Sequence, residues 1–143
     1  FWDVAKTTDQ PLVATHSNAH ALTPVARNLT DRQLDAIRES RGLVGINYAT
    51  AMLRADGRSD SDTPLADMIR HIDYLVNRIG IDCVALGSDF DGATIPEEIG
   101  DAAGNQKLIA ALKEVGYADA DLAKLARENW LRILAQAWRE DRA

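Results

Sequence analysis

The sequence predicts an α/β fold in which helices cover a parallel β-sheet. Short apolar runs alternate along the chain with longer segments whose apolar residues recur every three or four positions. The short runs are apolar throughout, as in strands that are buried on both faces of a parallel sheet. The composition agrees, because 46% hydrophobic and 27% charged residues in a chain of 143 are typical of one globular domain and argue against disorder.

The predicted order is helix, strand, helix, strand, helix, strand and two further helices. Residues 1–8 form the end of a helix, and a Gln-Pro pair separates it from a buried strand at residues 12–14. Thr30 and Gln33 form a capping box that begins a helix of about 11 residues. Gly42 ends this helix, as glycine commonly does at a helix C-terminus.

The middle of the chain predicts a second strand and the longest amphipathic helix. The strand is a buried run at residues 43–48, and a polar surface loop at residues 49–62 follows it. Thr63 is the predicted N-cap of the next helix, with Pro64 at its first position and Gly80 at its end. This helix carries the strongest apolar stripe in the chain, formed by Leu65, Met68, Ile69, Ile72, Leu75, Val76 and Ile79.

The last third predicts one more strand and two helices. A buried strand at residues 83–87 precedes a long loop at residues 88–104, and the helices lie at 106–115 and 119–139. A parallel sheet of three strands makes a poor independent domain, because its faces and edges need cover. The sheet therefore looks incomplete. The predicted core residues of the final helix are Leu122, Leu125, Trp130, Ile133, Leu134 and Trp138.

Charge, cysteine content and motifs exclude several classes of function. A net charge of -6 gives no electrostatic support to a nucleic-acid or anionic-membrane surface. The single cysteine, Cys83, excludes an internal disulfide and a Cys-rich zinc site, and its apolar neighbours predict a buried, inert thiol. No apolar run approaches the length of about 20 residues that spans a bilayer. Motifs of nucleotide-binding loops, serine hydrolases and zincins are absent from the sequence. The acidic pI is compatible with a bacterial cytoplasm but leaves the compartment open.

Polar residues follow each of the three predicted strands. His16 and Ser17 end the first strand, Asn47 ends the second, and Asp89 and Asp91 follow the third. Ligands of parallel α/β folds gather at the carboxyl ends of the strands. A histidine and an aspartate at the same edge are a plausible metal site or acid–base pair.

Each of these residues also has an ordinary structural interpretation. His16 could be a strand-end histidine bonded to a backbone carbonyl, and Asp91, followed by a glycine, could serve only a turn. Arg27 could reach the strand ends and bind a carboxylate through both guanidinium nitrogens, or it could be a surface arginine. We expect His20 to face solvent or to lie behind the site, and His71 to lie on the surface or flank of its helix.

Six segments of the chain, taken together, resemble one family. They read PLVATHSNA at 11–19, RNLTD at 27–31, GLVGINY at 42–48, HIDY at 71–74, LGSDFDG at 86–92 and NWLRIL at 129–134. In order and with compatible spacing, they resemble the renal-type (membrane) dipeptidases, a metallopeptidase family with many bacterial members. The resemblance covers nearly the whole chain.

The resemblance implies a (β/α)8 barrel that cleaves dipeptides with two zinc ions at the carboxyl ends of its strands. By position, His16 matches the histidine that binds the second metal ion. Arg27 matches the arginine that holds the terminal carboxylate of the substrate. Asp89 matches the aspartate of the last strand, which transfers the proton and contacts the substrate's amino end. His20 stands where bacterial relatives often have an arginine, and it receives no role.

The resemblance also implies that residues 1–143 are a single partial domain. A (β/α)8 barrel takes about 250 residues, and the three predicted strands correspond to its sixth to eighth. The family's first-strand His-x-Asp pair, bridging acidic residue and fifth-strand histidine have no counterpart in the chain. His16 and Asp89 fall short of the three protein ligands of a catalytic zinc, so we expect activity only with the missing part. Alternatives are another metal-dependent amidohydrolase acting on a small amide, or an inactive scaffold that pairs through its sheet edges. A homodimer is also compatible with the sequence.

Overall fold

The computed structural model describes residues 1–138 and contains a three-stranded parallel sheet. The strands are β1 (Val13–Ala14), β2 (Leu43–Asn47) and β3 (Val84–Ser88), and β2 lies between the other two. Both strand pairs are parallel. The predicted α/β class with a parallel sheet is therefore confirmed.

Helices precede, connect and follow the strands. Short 3₁₀ turns lie at Ile81–Cys83 and Ala102–Gly104, and a π turn lies at Lys124–Glu128. None of the described helices is long and apolar enough to span a bilayer. In chain order the helices are α1 (Trp2–Thr7), α2 (Asp31–Glu39), α3 (Thr50–Leu53), α4 (Leu65–Ile79), α5 (Asn105–Glu114), α6 (Asp119–Ala123) and α7 (Asn129–Ala137).

Local sequence signals account for the limits of the two longest connecting helices. The side chain of Gln33 accepts a hydrogen bond from the backbone N–H of Thr30 at 2.8 Å, as the capping box predicts for the start of α2. Gly80 ends α4 with φ at 87°, a left-handed conformation that glycine adopts without strain. The predicted apolar stripe of α4 supplies its buried residues Leu65, Met68, Ile72, Leu75 and Ile79.

The strands separate two clusters of buried side chains. Val44, Ile46 and Val84 belong to the main cluster, which also contains the buried residues of α2 and α4. Leu43 and Ala85 belong to a smaller cluster with Ile133 of α7. Successive residues of a strand point to opposite faces, so both faces of the sheet are covered by helices.

Several boundaries differ from the sequence predictions. Strand β1 is an edge strand in the described chain, and Val13 is 39% exposed instead of buried. Helix α3 interrupts the predicted loop at residues 49–62. The N-cap of α4 is Pro64, because the hydroxyl of Thr63 donates to the carbonyl of Asp60 at 2.6 Å and holds Thr63 in the loop. Cys83 lies in the turn before β3, where it is buried as predicted.

The predicted final helix is helical without a break from Asp119 to Ala137, and a π segment at Lys124–Glu128 joins α6 to α7. The predicted last residue, 139, lies outside the described residues. Leu122, Leu125 and Ile133 are buried as predicted. Trp138 is 74% exposed, so its assignment to the core is wrong: it follows α7 at the C-cap, beyond the helical face that packs on the sheet.

Candidate active site

The carboxyl ends of the three strands form one edge of the sheet, which we call the rim. His16 follows β1, Asn47 ends β2, and Asp89 follows β3. The Nδ2 atom of Asn47 donates to Asp89 Oδ2 at 3.0 Å and to the backbone carbonyl of His16 at 3.4 Å. The structure therefore brings the predicted residues His16 and Asp89 together through a shared asparagine.

Two glycines allow the strands to approach closely below the rim. A Cβ atom at Gly45 would lie 2.1 Å from the carbonyl oxygen of Thr15, and one at Gly87 would lie 2.2 Å from the same oxygen. Either distance is a severe overlap with backbone atoms. A side chain at these positions would push β1 away from β2 and β3.

The ring of His16 is partly exposed at the rim. Its Nδ1 atom lies 2.7 Å from the hydroxyl of Thr15, which is the ring's hydrogen-bond partner within residues 1–138. Within residues 1–138 the ring makes no hydrogen bond to a backbone carbonyl, so that alternative interpretation of His16 is wrong. With Nδ1 engaged, Nε2 is the nitrogen that can bind a metal or substrate.

Asp89 lies in a strained segment directly after β3. Ser88, Asp89 and Asp91 have φ angles of 50°, 84° and 63°, in the left-handed region that non-glycine residues rarely adopt. Such strain persists where surrounding contacts hold it, and it is common at functional sites. The side chain of Asp91 is exposed.

The loop between β1 and α2 carries Arg27. Its guanidinium is exposed, and no carboxylate of residues 1–138 forms an ion pair with it. Arg27 therefore takes no part in the hydrogen bonds of Asn47. Within residues 1–138 its guanidinium has no hydrogen-bond or ion-pair partner. It could bind an external carboxylate.

Two buried asparagines fix this loop against the end of β2. The Nδ2 atom of Asn18 donates to the carbonyl of Asn47 at 2.9 Å, and its Oδ1 accepts from the N–H of Asn47 at 3.0 Å. The Nδ2 atom of Asn28 donates to the carbonyls of Thr23 and Met52 at 2.9 and 3.0 Å. Buried polar groups that are fully paired in this way hold a loop in one conformation.

His71 is a further anchor of the loop, and its predicted surface position is wrong. The ring is 0% exposed; Nδ1 accepts the backbone N–H of Ala19 at 3.2 Å, and Nε2 lies 3.0 Å from the carbonyl of Leu53. Burial lowers the pKa of His71 from 6.5 to about 4, so the ring is neutral near pH 7. The sequence feature that indicates burial of His71 is its position on the apolar stripe of α4, between Met68 and Leu75.

Other predicted positions contribute less to the rim. The backbone N–H of His20 donates to the carbonyl of Leu29 at 2.9 Å, and its ring is partly exposed. Burial raises the pKa of the Cys83 thiol, which favours the unreactive protonated form. The sequence predicts Asn47 at the end of the second strand, as observed, but carries no signal for its hydrogen bond to Asp89.

The described residues do not complete a metal centre. Within residues 1–138, no group of three or more His, Cys, Asp or Glu side chains is gathered closely enough to hold a metal ion. A catalytic zinc takes about three protein ligands. The rim residues alone therefore do not fit a resident zinc.

Comparison with known proteins identifies the family. The model of the membrane dipeptidase family (Peptidase family M19) matches residues 1–142. The chain belongs to the membrane dipeptidase family. A Klebsiella pneumoniae relative, named only as an uncharacterized protein in the pqqA 5′ region, is 60% identical over 98% of this chain and 52% of its own length. Dipeptidase aclJ of Aspergillus oryzae is 36% identical over 92% of this chain and 31% of its own length.

Solved structures of metallopeptidases have the same fold over this region. A metallopeptidase from Rhodobacter sphaeroides, liganded with a phosphinate mimic of the dipeptide L-Ala-D-Ala, superposes with a TM-score of 0.93 at 54% identity. The match covers 95% of this chain and 39% of that one. The dipeptidase AC, also a metallopeptidase, gives a TM-score of 0.93 and 54% identity over 40% of its length. This chain thus spans about half or less of the relatives it matches.

Proposed function

We propose that this chain is the C-terminal portion of a zinc-dependent dipeptidase and supplies strands six to eight of its (β/α)8 barrel. The observation that carries the proposal is the rim, where Asn47 joins the ends of three parallel strands that bear His16 and Asp89. Active sites of (β/α)8 barrels lie at this end of the strands. Residues 1–143 then form a single partial domain, and the remaining strands cover the edges of the sheet.

Arg27 is the group that binds the substrate's terminal carboxylate. Its guanidinium has no ion-pair partner within residues 1–138, and the loop that carries it is anchored by Asn18, Asn28 and His71. A guanidinium can form two parallel hydrogen bonds to a carboxylate, which fixes orientation as well as affinity. A free carboxylate in the substrate favours dipeptides over small amides that lack one.

Asp89 is the group that transfers the proton. Its carboxylate is held at the rim by Asn47 and is partly exposed, so a substrate can reach it. A carboxylate in this position can accept a hydrogen bond from the substrate's amino group. It can also take a proton from the attacking water and pass it to the leaving nitrogen when the C–N bond breaks.

His16 is a ligand of one of two zinc ions. Zinc at such a site polarises a carbonyl and lowers the pKa of bound water. Because residues 1–138 gather no group of three possible ligands, we assign zinc binding to the whole barrel, in which other segments provide the remaining ligands.

The test is hydrolysis of matched substrates by the intact, zinc-loaded protein. We expect turnover of free dipeptides and a kcat/KM about 100-fold lower for the corresponding dipeptide amides, because the amide removes the partner of Arg27. A chelator should abolish turnover, and zinc should restore it. Equal kcat/KM values for acid and amide would contradict the dipeptide proposal.

The partial-barrel proposal has its own measurement. Residues 1–143 purified alone should bind zinc below one equivalent and show no dipeptide turnover. Stoichiometric zinc together with robust turnover from residues 1–143 alone would refute the assignment to part of a barrel.

A further inference from the structure

We propose that Asn47 is a positioning residue that anchors Oδ2 of Asp89 and leaves Oδ1 as the oxygen that exchanges the proton. The inference rests on the proposed dipeptidase function and deepens it. It starts from a side chain that is 0% exposed and contacts the end of each neighbouring strand.

The orientation of the Asn47 amide is determined by its partners. Its Oδ1 atom accepts the backbone N–H of Ala49 at 2.7 Å, and an N–H can be satisfied only by an acceptor. The NH₂ group must therefore face the other way, toward Asp89 Oδ2 and the carbonyl of His16, which are both acceptors. A flipped amide would lose all three hydrogen bonds.

The backbone of Asn47 is held just as firmly. Its N–H and carbonyl groups pair with the two ends of the Asn18 side chain at 3.0 and 2.9 Å. The next N–H, of Tyr48, donates to the carbonyl of Ser88 at 2.7 Å. Asn47 is therefore a fixed point from which the donor reaches Asp89.

Asp89 needs such a fixed point. The register between β2 and β3 shifts at Ile46 and Asn47, and the backbone then enters the left-handed region at Ser88 and Asp89. Irregularities of this kind re-aim a side chain at a strand end. Among the described residues, the hydrogen bond from Asn47 is the one that holds the re-aimed carboxylate.

The two carboxylate oxygens of Asp89 have different surroundings. Oδ2 accepts the hydrogen bond from Asn47. Oδ1 lies beside Gly92, where an added Cβ atom would come within 2.5 Å of it. Within residues 1–138 no hydrogen bond is made to Oδ1, whereas Oδ2 is held by Asn47, so the anchored oxygen and the oxygen free to react are distinct.

The kinetic test is Asn47→Ala in the intact, zinc-loaded protein. The substitution removes the side-chain amide and retains the backbone bonds to Asn18. We expect kcat for a dipeptide to fall about 10- to 100-fold, because a misplaced reacting group costs rate. KM should rise by a smaller factor, since the contact of Asp89 with the substrate's amino group weakens but Arg27 is untouched.

The matched control is Asn129→Ala. Asn129 is also buried, and its Nδ2 donates to the carbonyls of Ile81 and Val84 at 2.7 and 2.8 Å, at the opposite end of β3. Its loss should lower the unfolding midpoint and leave kcat unchanged. Asn47→Ala with wild-type kcat, or an equal fall in kcat for both variants, would overturn the positioning role.

A second measurement tests the contact without activity. Asn47→Asp keeps the shape and the acceptor for Ala49, but it sets two carboxylates against each other and should lower the free energy of unfolding. Adding Asp89→Asn restores an amide–carboxylate hydrogen bond with exchanged roles, and it should recover at least half of the loss in urea unfolding. Independent, additive effects of the two substitutions would refute the contact.

The two sets of results separate the inference from the proposed function. If the wild-type protein hydrolyses no dipeptide while the urea cycle shows recovery, the dipeptidase proposal and the catalytic role of Asn47 both fail and the contact stands. If dipeptides are hydrolysed and Asn47→Ala retains full kcat, the dipeptidase proposal stands and the positioning role fails.

Discussion

Acidification should destabilise the protein through His71. The ring accepts a hydrogen bond from the N–H of Ala19 through Nδ1, which it can do only while that nitrogen is unprotonated. Burial is the main reason for the depressed pKa, and the positive charge of Arg70 adds to it. The hydrogen bond to the carbonyl of Leu53 raises the pKa, and the nearby Asp67 raises it too but has the weakest influence. Asp67 also forms an ion pair with Arg70 at 3.1 Å.

The direction and size of the effect follow from the two pKa values. Above pH 6.5 the ring is neutral in both the folded and the unfolded chain, so the free energy of unfolding keeps the full contribution of His71. As the pH falls, the unfolded chain takes up the proton first, so the free energy of unfolding decreases until the folded ring also protonates at about 4. At about 1.4 kcal/mol per pH unit, the loss is about 2 kcal/mol between pH 7 and pH 5 and about 3 kcal/mol in total.

The assay is urea unfolding of the purified protein at a series of pH values from 7.5 to 4.5. His71→Gln removes the titrating ring, so its free energy of unfolding should fall by about 2 kcal/mol less than that of the wild type between pH 7 and pH 5. His20→Gln is the matched control, because it removes a partly exposed histidine and keeps the ring of His71. In NMR spectra, the ring signals of His71 should not titrate above pH 5.

Parallel pH curves for the wild type and His71→Gln would refute the reasoning. They would mean that His71 takes up its proton at the same pH in the folded and unfolded chains. A ring signal of His71 that titrates near pH 6.5 would lead to the same conclusion.

Substitutions at three further positions test the site and its scaffold. Arg27→Ala should raise KM for dipeptides about 100-fold with little change in kcat, and Arg27→Lys should recover part of this loss. An unchanged KM in Arg27→Ala would show that the substrate's carboxylate binds elsewhere. Asp89→Asn should abolish turnover while bound zinc, measured by atomic absorption, is retained; an active variant would exclude the proton-transfer role. Gly87→Ala places a Cβ atom 2.2 Å from the carbonyl oxygen of Thr15. This overlap should lower the free energy of unfolding by about 3 kcal/mol. An unchanged midpoint of urea unfolding would contradict the close approach of the chain after β1 to β3.

Hydrophobic periodicity was sufficient to predict those helices and strands whose apolar residues are also the ones that pack in the core. Helix α4 has a continuous apolar stripe and a terminal glycine, and five of the seven residues of the predicted stripe are buried. Strand β2 is buried along its whole length, as its apolar run predicts. Trp138 shows the limit of the same reasoning, because apolar character alone does not place a residue on the packed face, and this side chain is exposed beyond α7.

At the rim, the sequence predicts which residues lie together but not how they bond to one another. The order of strands and the polar residues after each of them place His16, Asn47 and Asp89 at one edge, since parallel strands end on the same side. Which of these groups donates to which depends on the register shift at Asn47 and on the left-handed backbone at Asp89. Neither feature has a signature in a run of residue types.

By itself, the sequence determined the α/β class, the parallel sheet, the buried stripe of α4, the resemblance to a dipeptidase family and the strand ends where its chemistry would lie. Only the tertiary structure decided that His71 is a buried, neutral anchor and that Asn47 joins the ends of all three strands. The physical reason is that periodicity reports local backbone geometry and one buried face. The partners of a buried polar group come instead from segments far away in the chain, 52 residues away for the bond between Ala19 and His71.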